Sequence, residues 1–157
     1  MKRIRDKIML GVISGLIAAV PGRILNEIEH QKGLIDMDYT KIASTLFMDR
    51  NGSNSREGLL LGNIVNSIML SLTGVATTYT LSKTGKDYKH IKGIGLSYMY
   101  GIVLGGVMPS LGLVYKPKQK RSYSLAVIDH TLLGILCAEL VSRLGAKEVF
   151  EDENQIE

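Results

Sequence analysis

"GLLLGNIVNSIMLSLTGVATTYTLS", residues 58–82, contains no charged side chain. It is longer than the roughly 20 residues that an α-helix needs to cross a bilayer. A helix satisfies its own backbone N–H and C=O groups, which hydrocarbon cannot do for it. The stretch therefore reads as a transmembrane helix, and the rest of the chain can be placed around it.

Two more runs fit the same description. Residues 93–115, "GIGLSYMYGIVLGGVMPSLGLVY", are also charge-free. Residues 122–144 are largely apolar, and their charged residues and histidines are Asp129, His130, Glu139 and Arg143. The N-terminus, "MKRIRDK", is basic and leads into "IMLGVISGLIAAV" and "PGRILNEIEH". A basic head before an apolar run can be a signal peptide. Pro21 falls where cleavage would occur, however, and no A-x-A site precedes it, so a retained first helix over residues 8–29, kinked or loosened at Pro21, is the preferred reading. Between the first two spans, residues 34–48 place Ile35, Tyr39, Ile42 and Leu46 near helical spacing. That segment is too short to span, so it reads as an amphipathic helix at the interface or tucked over the bundle. The expected fold is all-α: a polytopic membrane protein with four transmembrane helices and a short amphipathic interfacial helix. Residues 1–145 form the transmembrane domain, and residues 146–157 an acidic, flexible tail.

Composition supports this arrangement. Of the 157 residues, 45% are hydrophobic and 22% charged, and the charges are gathered into blocks. The net charge of +4 comes from basic clusters flanking apolar runs. Anionic lipid headgroups of a bilayer fit that pattern better than nucleic acid. Cys137 is the single cysteine, which excludes an internal disulfide. The histidines, His30, His90 and His130, are scattered, so no metal site and no cofactor is expected. Four spans put both termini on one side. With that side cytoplasmic it holds ten Lys and Arg, against eight on the other. The positive-inside rule and the first helix together favour a cell-membrane protein with both termini in the cytoplasm.

Small residues recur at four-residue spacing: Gly11, Gly15 and Ala19, then Gly58 and Gly62, then Gly101 and Gly105. Such stripes let helix backbones approach closely. Packing within one chain is the preferred reading, and a homo-oligomer interface or a membrane-protein partner is the alternative. Tyr79, Tyr98, Tyr115 and Tyr123 lie near run ends, as interfacial anchors do. Glu139 and Arg143 stand in the favourable i,i+4 order for a pair at a helix end.

Depth then brings the polar residues together. Helix one ends, helix two begins, helix three ends and helix four begins on the same side. Arg23, Asn26 and Glu27 lie close to that side. Asn63 and Asn66 lie roughly 8–13 Å below it, and Asp129 and His130 roughly 11–13 Å. Ionisable and amide side chains at membrane depth need partners or a wet cavity. The expectation is a polar pocket formed by Arg23, Asn26, Glu27, Asn63, Asn66, Asp129 and His130. Arg23 would pair with Asp129 or Glu27. Structural pairing and helix–helix glue remain the competing roles for each residue.

No GxSxG, HExxH, CxxC, Walker or dinucleotide motif is present. "AAVPGRILN", "GLLLG", "KGIG" and "DHTLLG" together make residues 8–144 resemble a group of small, uncharacterised four-helix integral membrane proteins of Gram-positive, often anaerobic bacteria. The resemblance brings no activity with it. Three functions stay open. The first is a non-enzymatic multi-pass protein whose pocket takes a small ligand, lipid or partner. The second is a proton- or ion-coupled transport component acting as an oligomer. The third is a membrane-embedded lipid-modifying enzyme.

Overall fold

Asp6 begins the first helix. Its carboxylate accepts from the Met9 amide at 2.6 Å and caps α1, Lys7–Gln31. The computed structural model describes residues 3–49 and 51–150. Helix α1 runs unbroken through Pro21. Asp38 caps the short α2, Tyr39–Ser44, by accepting from Thr40 and Lys41 amides. Ser55 caps α3, Arg56–Thr84, which ends at Gly85 with φ +76°. Helix α4 spans Lys89–Ser110 and α5 spans Lys120–Leu144. The four long helices are each long and apolar enough to cross a membrane.

Two expected boundaries move. The amphipathic helix shrinks from residues 34–48 to the six residues of α2. Ile35 and Met37 are buried although they precede the helix in irregular chain, because the hydrophobic face is met by packing rather than by helical periodicity. The third span begins earlier than residue 93 and stops at Ser110 rather than at 115. Pro109 has no N–H to give the preceding turn, and a wide π turn over Val103–Val107 absorbs the mismatch. Gly112, at φ +71°, then redirects the chain.

Helix α1 packs along both α3 and α5, and α4 packs along α5. Missing side chains allow both close contacts. A Cβ on Gly11 would lie 2.6 Å from the Val75 nitrogen of α3, and one on Gly74 2.8 Å from the Gly15 nitrogen of α1. Gly93 of α4 and Gly134 of α5 press together in the same way. The small-residue stripe on α1 thus serves packing within the chain. Gly62 is used against the Thr40 carbonyl of α2, and Gly58 against the turn at Gly52 and Ser53. The Gly101–Gly105 stripe does not bring two backbones together: Gly101 makes room for the His130 ring of α5, and Gly105 has open space around it.

The buried hydroxyls of α3 bond to their own helix. Thr73, Thr77 and Thr78 donate to the carbonyls of Met69, Thr73 and Gly74. Outward faces carry large apolar residues instead, including Leu60, Ile64, Ile68 and Leu72 of α3. Ile4 pairs with Gly145, so the two ends of the described chain meet at one end of the bundle. Ala146 and Val149 are buried there, so residues 146–150 of the expected tail pack on the bundle. The tail's remaining residues, 151–157, lie outside the described ones.

Candidate functional site

A cavity of about 470 Å³ lies between α1, α3, α4 and α5. Its walls are largely apolar, with Ala19, Leu70, Leu104 and Leu133 among them. Arg23, Asn66, Asp129 and His130 also line it. A smaller cavity of about 280 Å³ shares Arg23, Tyr39 and Asn66 with the first and adds Asn26, Glu27 and Asn63. All seven residues singled out by depth matching therefore line one cavity or the other.

Their roles separate on inspection. Asp129 is 4% exposed; its Oδ2 accepts from the Tyr39 hydroxyl at 2.9 Å, and its Oδ1 has no partner. His130 Nδ1 lies 2.7 Å from the Ala126 carbonyl, which can only accept, so Nδ1 carries the proton. The ring is held edge-on to Tyr39 and tilted against Tyr100, with centroids 6.2 and 5.6 Å away. Asn66 is buried and accepts from the Tyr100 hydroxyl at 3.2 Å, which ties α3 to α4. Asn26 is buried and binds the backbone of the connecting segment, donating to the Met37 carbonyl and accepting from the Tyr39 amide.

The expected ion pairs of Arg23 do not form. Its Nη2 donates to Ser67 Oγ at 2.9 Å, and its buried Nε has no partner. No ion pair joins it to Asp129 or Glu27 among the described residues. Glu27 is exposed and accepts from Gln31 instead. Asn63 is exposed too, and its amide returns to the Leu59 carbonyl of its own helix. At the far end of the bundle Glu139 pairs with Arg143, as the spacing predicts, and also with Lys89 at 2.7 Å and His90 at 3.0 Å.

Tyrosines are what the sequence reading missed. Tyr39, Tyr98, Tyr100 and Tyr123 all line the larger cavity. The Tyr98 hydroxyl meets Thr131 Oγ1 at 2.7 Å, between α4 and α5. Tyr115 and Tyr123 are likewise engaged, with Asp36 and the Pro117 carbonyl. A usable signal was present for Tyr98 and Tyr100. A phenol well inside a charge-free helix must find a partner for its hydroxyl. Tyr39 offered no such signal, because it joins the site from a segment far away in sequence.

Burial, the neighbouring Asp129 and, more weakly, Glu29 hold the Tyr39 hydroxyl well above the ordinary phenol range. Tyr39 therefore stays a protonated donor to Asp129. The site offers one unpaired acceptor, Asp129 Oδ1, and one unpaired donor, Arg23 Nε, in an apolar and aromatic chamber. Among the described residues no three His, Cys, Asp or Glu side chains gather as a metal site. No protein family, curated protein or solved structure matches the chain.

Proposed function

We propose that this chain is a multi-pass membrane protein that binds a small amphiphile in the larger cavity, without chemical turnover. The observation that carries the reading is the pairing of a mostly apolar chamber of about 470 Å³ with a carboxylate oxygen left unpartnered in its wall. Ligand sites typically combine such a volume with a few converging polar groups. Four apolar helices with apolar outward faces support insertion in the cell membrane. The basic clusters of the connecting loops suit anionic headgroups, and both termini are assigned to the cytoplasm on the lysine and arginine balance.

Gly105 supplies the test. It lines the cavity, and a side chain there meets nothing within 4 Å. Gly105→Leu should fill the chamber while leaving the fold intact. Calorimetry with phenylhexanol on protein in nanodiscs, against empty nanodiscs, should show saturable binding that Gly105→Leu removes. Binding that survives the substitution refutes the assignment of the cavity. Retention of the chain in the membrane pellet after alkaline carbonate extraction tests insertion separately.

Transport is the second reading, favoured by the same buried carboxylate, because intramembrane acids often mark ion pathways. Four helices are few for a stand-alone transporter, so this version requires an oligomer. Proton-coupled flux in proteoliposomes that vanishes in Asp129→Asn would establish it.

A further inference from the structure

We propose that the ligand of the larger cavity is a lipophilic cation, with Asp129 as its counter-ion and the surrounding tyrosines as its aromatic wall. The inference rests on the reading of that cavity as a ligand site and names the class of molecule it selects.

Asp129 carries the argument. Its side chain is almost wholly buried, its Oδ1 is unpartnered, and no cation of the described chain pairs with it. A buried carboxylate in that state is costly unless a donor or a positive charge meets it. The protein supplies one donor, the Tyr39 hydroxyl, and places it on the other oxygen. Oδ1 remains for something from outside.

The walls match a cation. Tyr39, Tyr98, Tyr100 and Tyr123 line the same chamber as Asp129. The negative face of an aromatic ring attracts ammonium groups, and desolvation strengthens that attraction. Glu29 contributes further negative character felt at Tyr39.

Arg23 is the competing feature, because an unpaired Nε–H would suit an anion. Its guanidinium is tethered to Ser67 on α3 and also borders the smaller cavity. In the chamber wall one guanidinium, held by Ser67, therefore stands beside one carboxylate, that of Asp129. The unpartnered carboxylate oxygen and the aromatic lining both favour a cationic head, with the apolar walls taking its body.

Three probes with one apolar body distinguish the possibilities: phenylhexylamine, phenylhexanol and phenylhexanoate. Binding to the protein in nanodiscs is measured by calorimetry against empty nanodiscs, which removes simple partition into lipid. The amine should bind about tenfold or more tightly than the alcohol. Asp129→Asn should bring the amine to the level that the alcohol shows with the same variant. Equal affinity for amine and alcohol, or preference for the carboxylate, overturns the cation assignment and leaves the cavity as a ligand site. Amine binding that Gly105→Leu does not diminish removes the cavity itself from the explanation. The three-probe comparison on the unaltered protein decides the question even where Asp129→Asn fails to fold.

Discussion

Replacing Tyr39 by Phe removes one oxygen and tests the centre of the site. The Tyr39 hydroxyl is the sole donor to Asp129 among the described residues, at 2.9 Å across 90 positions of sequence. Without it, Oδ2 loses its partner and neither oxygen of a residue that is 4% exposed keeps one among the described residues. A hydrogen bond to a charged group contributes about 1.5–3 kcal/mol, whereas neutral bonds between membrane helices average about 0.6 kcal/mol. With Asp129 charged, Tyr39→Phe should therefore cost about 2 kcal/mol, roughly 30-fold in the folding constant. In an Asp129→Asn background the same change should cost about 0.6 kcal/mol. The difference between the two costs is the coupling that a double-mutant cycle isolates.

Cys137 makes the measurement possible. It is the single cysteine and is 1% exposed, so its thiol labels only when the bundle opens. Labelling across an SDS titration gives the stability of each variant. A cost for Tyr39→Phe at or below about 0.6 kcal/mol in both backgrounds would refute the reasoning, because Asp129 would then be neutral or unbound. It would also remove the counter-ion on which the cationic ligand depends.

Three further outcomes follow from the geometry. Gly93→Ala should destabilise, since the new Cβ would fall 2.8 Å from that of Ala138, whereas Gly95→Ala meets nothing within 4 Å and should stabilise by about 0.5–1 kcal/mol; Cys137 labelling should separate the two. Asp36 accepts from the Lys118 amide at 2.6 Å and from Ser122 Oγ at 2.7 Å at the start of α5, so Asp36→Ala should cost about 1–2 kcal/mol in the same assay. Burial raises the Asp36 carboxyl, but its bonds from Lys118, Ser122 and Gln119 outweigh this and hold it below the ordinary 3.8. The stabilisation is thus complete above about pH 4 and is lost as the pH falls through the lower folded value; stability curves of Asp36→Asn should lack that acid-side decline. Asn26→Ala should cost about 1–3 kcal/mol by freeing the Met37 carbonyl and the Tyr39 amide, and hydrogen exchange should rise first in residues 35–44.

The four long helices were legible because their signal is local. A charge-free run of sufficient length states its own reason for being helical, and depth along each run follows from the rise per residue. Depth matching brought Arg23, Asn66, Asp129 and His130 to one level, and the fold places all four on one cavity. Depth says nothing about rotation around a helix axis, however. Glu27 and Asn63 share the level but face outward, and Arg23 reaches Ser67 rather than Asp129.

The sequence by itself thus determined how many long apolar helices there are, roughly where they run and at what height the polar groups sit. Tertiary structure decided which of those groups meet. The partner of Asp129 is Tyr39, delivered by a short capped helix whose position is set by Asn26 and by the close approach of Thr40 to Gly62. That meeting depends on the path of a connecting segment and on the rotation of four helices. Both are fixed by side-chain packing between distant parts of the chain, which no local pattern encodes.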